Sequence, residues 1–123
     1  MAERLPTGFH AAAADRAEGR VDLQSRFVPH PHATFLVRCA SEALTSRAIL
    51  SGDLCLVDRS LEPRPGDVVI ATAGGEVLVR VLDHAPGRRP SLVGDPPLQP
   101  IPVDPEAGVE LWGVVSAVVR PLR

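Results

Sequence analysis

Three hydroxyl side chains lie in one short segment between two apolar, β-rich stretches: Ser41, Thr45 and Ser46. A hydroxyl becomes a nucleophile when an adjacent base, such as a histidine or a neutral lysine, removes its proton. All thirteen Lys+Arg residues of this chain are arginines, and a guanidinium does not lose its proton near neutral pH. No histidine pattern accompanies the segment either. We therefore expect these hydroxyls to bond only to the backbone of the turn.

The sequence gives little support for metal binding or for thiol chemistry. His30 and His32 flank Pro31, but no further Cys, His or carboxylate stands nearby at ligand spacing, so no metal site and no cofactor are expected. Cys39 and Cys55 fall on predicted strands. Two cysteines so placed predict buried, reduced thiols.

The segments that would position these residues are mostly β-strands. Residues typical of strands occupy 33–39, 54–58, 68–72, 76–82 and 110–120. Ala73-Gly74-Gly75 between two of them predicts a hairpin, because glycine tolerates the positive φ of tight turns. Short edge strands are expected at 91–93 and 101–103, and Asp22 is expected to cap a helical turn.

Length and composition predict one globular domain. The chain has 123 residues, 45% of them apolar, and a net charge of −2. That charge argues against an extended basic surface for nonspecific DNA binding, and nothing predicts sequence-specific DNA recognition. No apolar run approaches the roughly 20 residues of a membrane span, and residues 1–6 contain no signal-peptide core. A cytoplasmic location without membrane contact is expected.

Four short motifs in order resemble the peptidase domain of the LexA and UmuD family: Ser51-Gly52-Asp53-Leu54, Pro65-Gly66-Asp67-Val68-Val69, Gly75-Glu76 and Trp112-Gly113-Val114-Val115. The resemblance extends over residues 7–123. It implies a mainly β fold of bent, mostly antiparallel sheets. The family's catalytic dyad is a serine nucleophile with a lysine as general base.

Both dyad positions are substituted in this chain. Counting back from Gly52-Asp53-Leu54, the nucleophile position falls on Ala43, and the base position in Gly75-Glu76-Val77-Leu78-Val79-Arg80 falls on Arg80. The interval between them matches the separation of the family's dyad. The sequence thus predicts a domain that is not an enzyme.

Arg80 shares a strand face with Leu78 and Leu82, and a charge in apolar company needs a partner. Glu42, next to Ala43, is the candidate. The alternative is that the Arg80 stem carries its guanidinium out to solvent.

Residues 1–20 are expected to form a flexible N-terminal arm, and residues 21–123 the β domain. Thr7-Gly8-Phe9 and the following Ala13-Ala14-Asp15 resemble the stretch around the self-cleavage site of UmuD. The scissile bond would align with Thr7-Gly8, as a vestigial cleavage site. The chain then begins almost where a processed form would begin.

The resemblance implies a non-catalytic, UmuD-like accessory subunit of an error-prone Y-family DNA polymerase in SOS translesion synthesis. Its partners would be a UmuC-like polymerase and a second copy of itself, with a recombinase filament as a further partner. A self-cleaving serine peptidase and a detached repressor-type dimerisation domain are the alternatives. The terminal strand, apolar on both faces, is expected either to be covered on both sides or to pair in the homodimer through Trp112, Val114 and Val118.

Overall fold

The computed structural model describes residues 19–123. Its strands are β1 (Thr34–Arg38), β2 (Leu54–Asp58), β3 (Val68–Ala73), β4 (Glu76–Asp83), β5 (Ser91–Val93), β6 (Ile101–Pro102) and β7 (Val109–Val119). They form one sheet in the order β1-β2-β7-β3-β4-β5-β6, with every neighbouring pair antiparallel. The predicted mainly β, antiparallel fold is confirmed.

Helical structure is short. Helix α1 spans Leu23–Phe27, and single 3₁₀ turns span Pro31–Ala33, Thr45–Arg47 and Pro105–Ala107. The predicted cap is confirmed, because the Asp22 carboxylate accepts the backbone N–H of Ser25 at 3.2 Å. Within residues 19–123, no helix is long and apolar enough to cross a membrane.

The predicted hairpin joins β3 to β4. Gly74 and Gly75 both have positive φ, 57° and 85°, as a two-residue hairpin turn requires. The register pairs Ala73 with Glu76 and Val69 with Arg80, which places Arg80 in the interior of the strand ladder.

Strand β7 changes partner along its length. Its first half, up to Val114, pairs with β3, and its second half, from Val114, pairs with β2. The register skips Ser116 opposite β2 and Trp112 opposite β3. Such extra residues bend a strand and increase its twist, so β7 bends the sheet and joins its two parts.

The core is divided by the sheet, because successive side chains of a strand point to opposite faces. Ile70 belongs to one apolar cluster, and its neighbours Val69 and Ala71 belong to the other. The first cluster is formed by Cys39, Leu44, Ile49, Cys55, Val57, Ile70 and Val79. The second is formed by Val69, Ala71, Leu82, Leu92, Val109 and Val114.

Two expectations from the sequence concern the N-terminus. Thr7 and Gly8, the vestigial cleavage site, lie outside the described residues. So does nearly all of the predicted arm, since the structure describes only residues 19 and 20 of it.

Gly113 lies in the bend of β7, where the side chain of Val57 packs closely against its backbone. A Cβ atom at this position would lie 2.6 Å from Cγ1 of Val57, which is fully buried. We expect Gly113→Ala to lower the free energy of unfolding by about 1–3 kcal/mol, because overpacking forces neighbours to move. Urea denaturation of the full chain measures this. Ser116→Ala, at an exposed position of the same strand, is the matched control, and equal effects of the two substitutions would contradict the explanation.

Candidate functional site

Ala43, which the motif spacing aligns with the family's nucleophile, lies in the loop between β1 and β2. Ala43 is buried, and its side chain is a methyl group. Its backbone is held from both sides: the N–H donates to Oγ of Ser41 at 3.0 Å, and the carbonyl accepts the N–H of Asp95 at 2.6 Å. The loop therefore keeps a fixed position although it has no nucleophile at residue 43.

Asp53 of the Gly52-Asp53-Leu54 motif anchors this loop. Its carboxylate accepts the N–H of Leu50 at 2.8 Å and two hydrogen bonds from Arg120, from Nε at 2.6 Å and from Nη2 at 2.7 Å. Nη2 of Arg120 also donates to the carbonyl of Ala48 at 2.7 Å. The hydrogen bonds from Arg120, followed by that from Leu50, lower the pKa of Asp53 to about 2. The carboxylate thus stays ionised and holds the loop against the end of β7.

Arg80, which the motif spacing aligns with the family's general base, lies on β4. Arg80 is 9% exposed, and its Nη1 donates to the carbonyl of Val79 at 2.8 Å. Burial lowers the pKa of the guanidinium, because removal from water disfavours the charged form.

The partner predicted for Arg80 is not observed. Glu42 is exposed, and the ion pairs among residues 19–123 are His30–Asp58, Arg89–Asp104 and Arg120–Asp53. The proposed Glu42–Arg80 pair is therefore wrong, because the loop turns Glu42 outward while β4 keeps Arg80 buried. The stem does not carry the guanidinium fully into solvent either.

The two dyad positions meet at Gly94. A Cβ atom on this glycine would lie 3.2 Å from Cδ of Arg80 and 3.3 Å from the carbonyl oxygen of Ala43. Both residues line one open cleft of about 320 Å³. The other lining residues are Ser41, Glu42, Asp95, Pro96, Pro97 and Leu98. The structure thus brings together the two positions that the sequence motifs identify.

The three hydroxyls near Ala43 bond either to the backbone or to the carboxylate of Asp95. Ser41 and Thr45 bond to backbone groups, as predicted. The prediction for Ser46 is wrong, because its hydroxyl donates to the carboxylate of Asp95, which also accepts the Ser46 N–H at 2.8 Å. These bonds lower the pKa of Asp95, and a carboxylate with a lowered pKa is a poor general base at neutral pH.

A polar cluster that sequence reasoning missed lies at the end of β2. Nδ1 of His30 is 2.7 Å from Oδ2 of Asp58, and Oγ of Ser60 donates to Oδ1 of Asp58 at 2.6 Å. Burial alone would raise the pKa of Asp58, but the hydrogen bonds from Ser60 and His30 outweigh it and lower the pKa. The cluster ties the segment before β1 to the end of β2. Within the described part of the chain, no three His, Cys, Asp or Glu side chains are grouped as metal ligands would be.

The two cysteines are buried, as predicted, and both are free. Burial, followed by the charges of the nearby Cys39 and Asp53, raises the pKa of the Cys55 thiol to about 11. A thiol with so high a pKa is a weak nucleophile at neutral pH, since the thiolate is the reactive form.

The residues predicted for the dimer interface occupy different environments. Val114 is buried in the second core cluster. The ring of Trp112 packs against Phe35, with centroids 5.3 Å apart, and lies 4.5 Å from the guanidinium carbon of Arg59. Val118 is partly buried and lines an apolar groove beside α1. The interface through these residues stays a prediction.

A bent antiparallel β domain that brings residues 43 and 80 to one cleft has the architecture of a LexA- or UmuD-type peptidase domain. The family model described as Peptidase S24-like matches residues 1–116, and the chain belongs to this family. The resemblance to LexA and UmuD is thereby confirmed.

Individual relatives agree with this assignment. Protein SamA of Salmonella typhimurium is 37% identical over 121 residues, which cover 98% of this chain and 84% of SamA. Protein ImpA of Escherichia coli is 34% identical over 129 residues, covering 100% of this chain and 83% of ImpA. The LexA repressor of Xylella fastidiosa is 30% identical over 125 residues, covering 98% of this chain but 59% of the repressor.

The bonds of Asp53 generate a prediction about pH. Because its pKa falls from an ordinary 3.8 to about 2 in the folded protein, its contribution to stability is complete above 3.8 and is lost as the pH falls towards 2. We expect Asp53→Asn to lower the urea midpoint near neutral pH, because Arg120 loses its ionic partner, and the deficit to shrink in this acid range. Asp83→Asn, at an exposed carboxylate, is the control. A deficit that does not change with pH would contradict the assignment.

Proposed function

We propose that this protein is a non-catalytic, UmuD-like accessory subunit of an error-prone Y-family DNA polymerase in SOS translesion synthesis. One observation supports the absence of catalysis in this proposal. Ala43 and Arg80 line one cleft, and the chain contains no lysine. A methyl group cannot attack a carbonyl, and a guanidinium cannot accept a proton at neutral pH. The protein would act in the cytoplasm through binding.

The polymerase partnership is supported by the resemblance to UmuD, a protein that assembles with its polymerase after its dyad has completed its task. Similarity to SamA and ImpA over nearly the whole chain accords with this assignment. A second candidate is a detached repressor-type dimerisation domain, which the similarity to a LexA repressor favours. A UmuC-type polymerase gene beside this one would distinguish the first function from the second.

A homodimer is part of the proposal, and the second half of β7 offers a surface for it. Within residues 19–123, no strand pairs with β7 beyond Val114 on the side of β3. The same half borders an apolar groove of about 440 Å³, to which α1 contributes Leu23 and Phe27. Leu23 is 62% exposed and Val119 is 45% exposed. A second copy that covers this groove would remove those apolar side chains from water.

The proposal predicts that the protein does not cleave itself. Neither alkaline pH nor an activated recombinase filament should change this, because both act on a dyad that Ala43 and Arg80 do not supply. Intact-mass measurement after incubation detects any cleavage, with a self-cleaving family member treated in parallel as the control. Time-dependent loss of the first seven or so residues, at Thr7-Gly8, would contradict the prediction.

The dimer and the polymerase can be tested together. Val119→Arg should convert the dimer to a monomer and abolish co-purification of a co-expressed UmuC-like polymerase, because a charge on the groove cannot be buried at the interface without a partner. Arg80→Ala should leave both nearly intact. Light scattering gives the mass, and pull-down gives the association.

Val77→Arg is the matched control, since Val77 is 64% exposed on β4. Trp112→Ala is a less specific probe, because its ring packs against Phe35 within the protomer and truncation of a packed aromatic side chain weakens the fold itself. If Arg80→Ala loses the polymerase while Val119→Arg stays dimeric and competent, the cleft is the binding surface and the proposed interface is wrong.

A further inference from the structure

Arg80 is a buried cation without a carboxylate partner in the described part of the chain. It is nine-tenths buried, and the ion pairs of residues 19–123 do not include it. A guanidinium has five N–H donors, and the hydrogen bonds of this part of the chain include one from Arg80, to its own strand at Val79. Burial of a charge is costly unless it is paired.

The remaining donors of Arg80 are not fully buried. Among residues 19–123, every fully buried side-chain nitrogen or oxygen has a hydrogen-bond partner. The nitrogens of Arg80 that have no partner are therefore at least partly exposed. The open space next to this side chain is the cleft that it lines with Ala43 and Leu98. A molecule in the cleft would meet an unsatisfied, charged donor group.

The acidic groups that share the cleft do not satisfy Arg80. Glu42 is exposed and is not paired with it. Asp95 directs both carboxylate oxygens to Ser46, and the charge of Arg47 also favours its ionised form. The Asp95 charge is therefore already stabilised by groups other than Arg80.

Part of the cleft lining is apolar. Pro96, Pro97 and Leu98 line the cleft, and Ala43 contributes a methyl group to it. Cδ1 of Leu98 and Cδ of Arg80 both pack around Gly94, within 2.8 Å and 3.2 Å of the position of an added Cβ atom. The cleft thus combines one fixed cation with an apolar surface beside it.

We propose that this cleft binds a peptide carboxylate adjacent to an apolar side chain, with the Arg80 guanidinium as the carboxylate receptor. The planar fork of arginine matches the two oxygens of a carboxylate. The apolar side chain would pack on Pro96, Pro97 and Leu98. The inference does not depend on the polymerase partnership, because it rests only on the contents of the cleft.

The test is a titration of the isotopically labelled full chain by NMR. The probe is N-acetyl-leucine, which carries a carboxylate next to an apolar side chain, and N-acetyl-leucinamide is its neutral counterpart. We expect the carboxylate to shift the Nε–H signal of Arg80 and the amide of Gly94. The amide probe should bind more weakly by about tenfold or more, since a charge-assisted pair contributes on that scale.

Arg80→Met keeps the apolar stem and removes the charge. We expect this variant to lose the preference for the carboxylate probe while its melting temperature stays equal or rises, because an unpaired buried cation is removed. Arg88→Met, in an exposed loop, is the matched control and should bind like the unmodified chain. A merely structural arginine would give the opposite pattern, a lower melting temperature with unchanged binding.

The source of the carboxylate is distinguished by a third probe, N-acetyl-Leu-Glu-amide, whose only carboxylate is on a side chain. Tighter binding of N-acetyl-leucine assigns the cleft to peptide C-termini, and tighter binding of the blocked dipeptide assigns it to internal acidic residues. Equal binding of the acid and amide forms of N-acetyl-leucine would overturn the proposal. So would carboxylate binding that persists unchanged in Arg80→Met.

Discussion

The bidentate contact between Asp53 and Arg120 holds the candidate site in place. Asp53 directly precedes β2, and Arg120 directly follows β7. The contact therefore joins two parts of the chain that are distant in sequence. The same two side chains also bond to Leu50 and Ala48 within the loop that contains Ala43. Because Asp53 is 1% exposed, its charge is shielded from competing water. The position of the loop against Gly94 depends on this contact together with the Asp95–Ala43 backbone hydrogen bond.

The bend of β7 is the second constraint. The register skips Ser116 and Trp112, so the strand can pair with β3 along its first half and with β2 along its second half. Val114, where the two pairings overlap, is buried. The bend lets one sheet enclose two core clusters on its opposite faces. Gly113 permits the close approach of Val57 that the bend requires. One long strand therefore connects the loop of Ala43, through β2, with the strand of Arg80, through β3.

Sequence reasoning recovered features that local patterns encode. Strands β1 to β4 follow from runs of apolar residues that suit strands, the hairpin follows from Gly74-Gly75, and the positions of Ala43 and Arg80 follow from motif spacing. It failed where the deciding contact is long-range. The 28-residue separation of His30 from Asp58, and the outward turn of Glu42, depend on how loops pack after the sheet has formed. No local propensity carries that information.

Position 80, which the sequence motifs align with the family's base, carries an arginine, and this residue determines part of the charge of the cleft. A lysine in an apolar site can become neutral, and a neutral amine beside a nucleophile suits an uncharged peptide bond. Burial lowers the pKa of Arg80 from a very high starting value, so the guanidinium keeps its charge at neutral pH. A permanent cation beside Leu98 and the prolines attracts an anion more strongly than a neutral carbonyl, against the repulsion of the Glu42 and Asp95 carboxylates that also line the cleft. Alanine at position 43 and arginine at position 80 thus place a permanent cation, rather than a neutral amine and a nucleophile, in a cleft that the carboxylates of Glu42 and Asp95 also line.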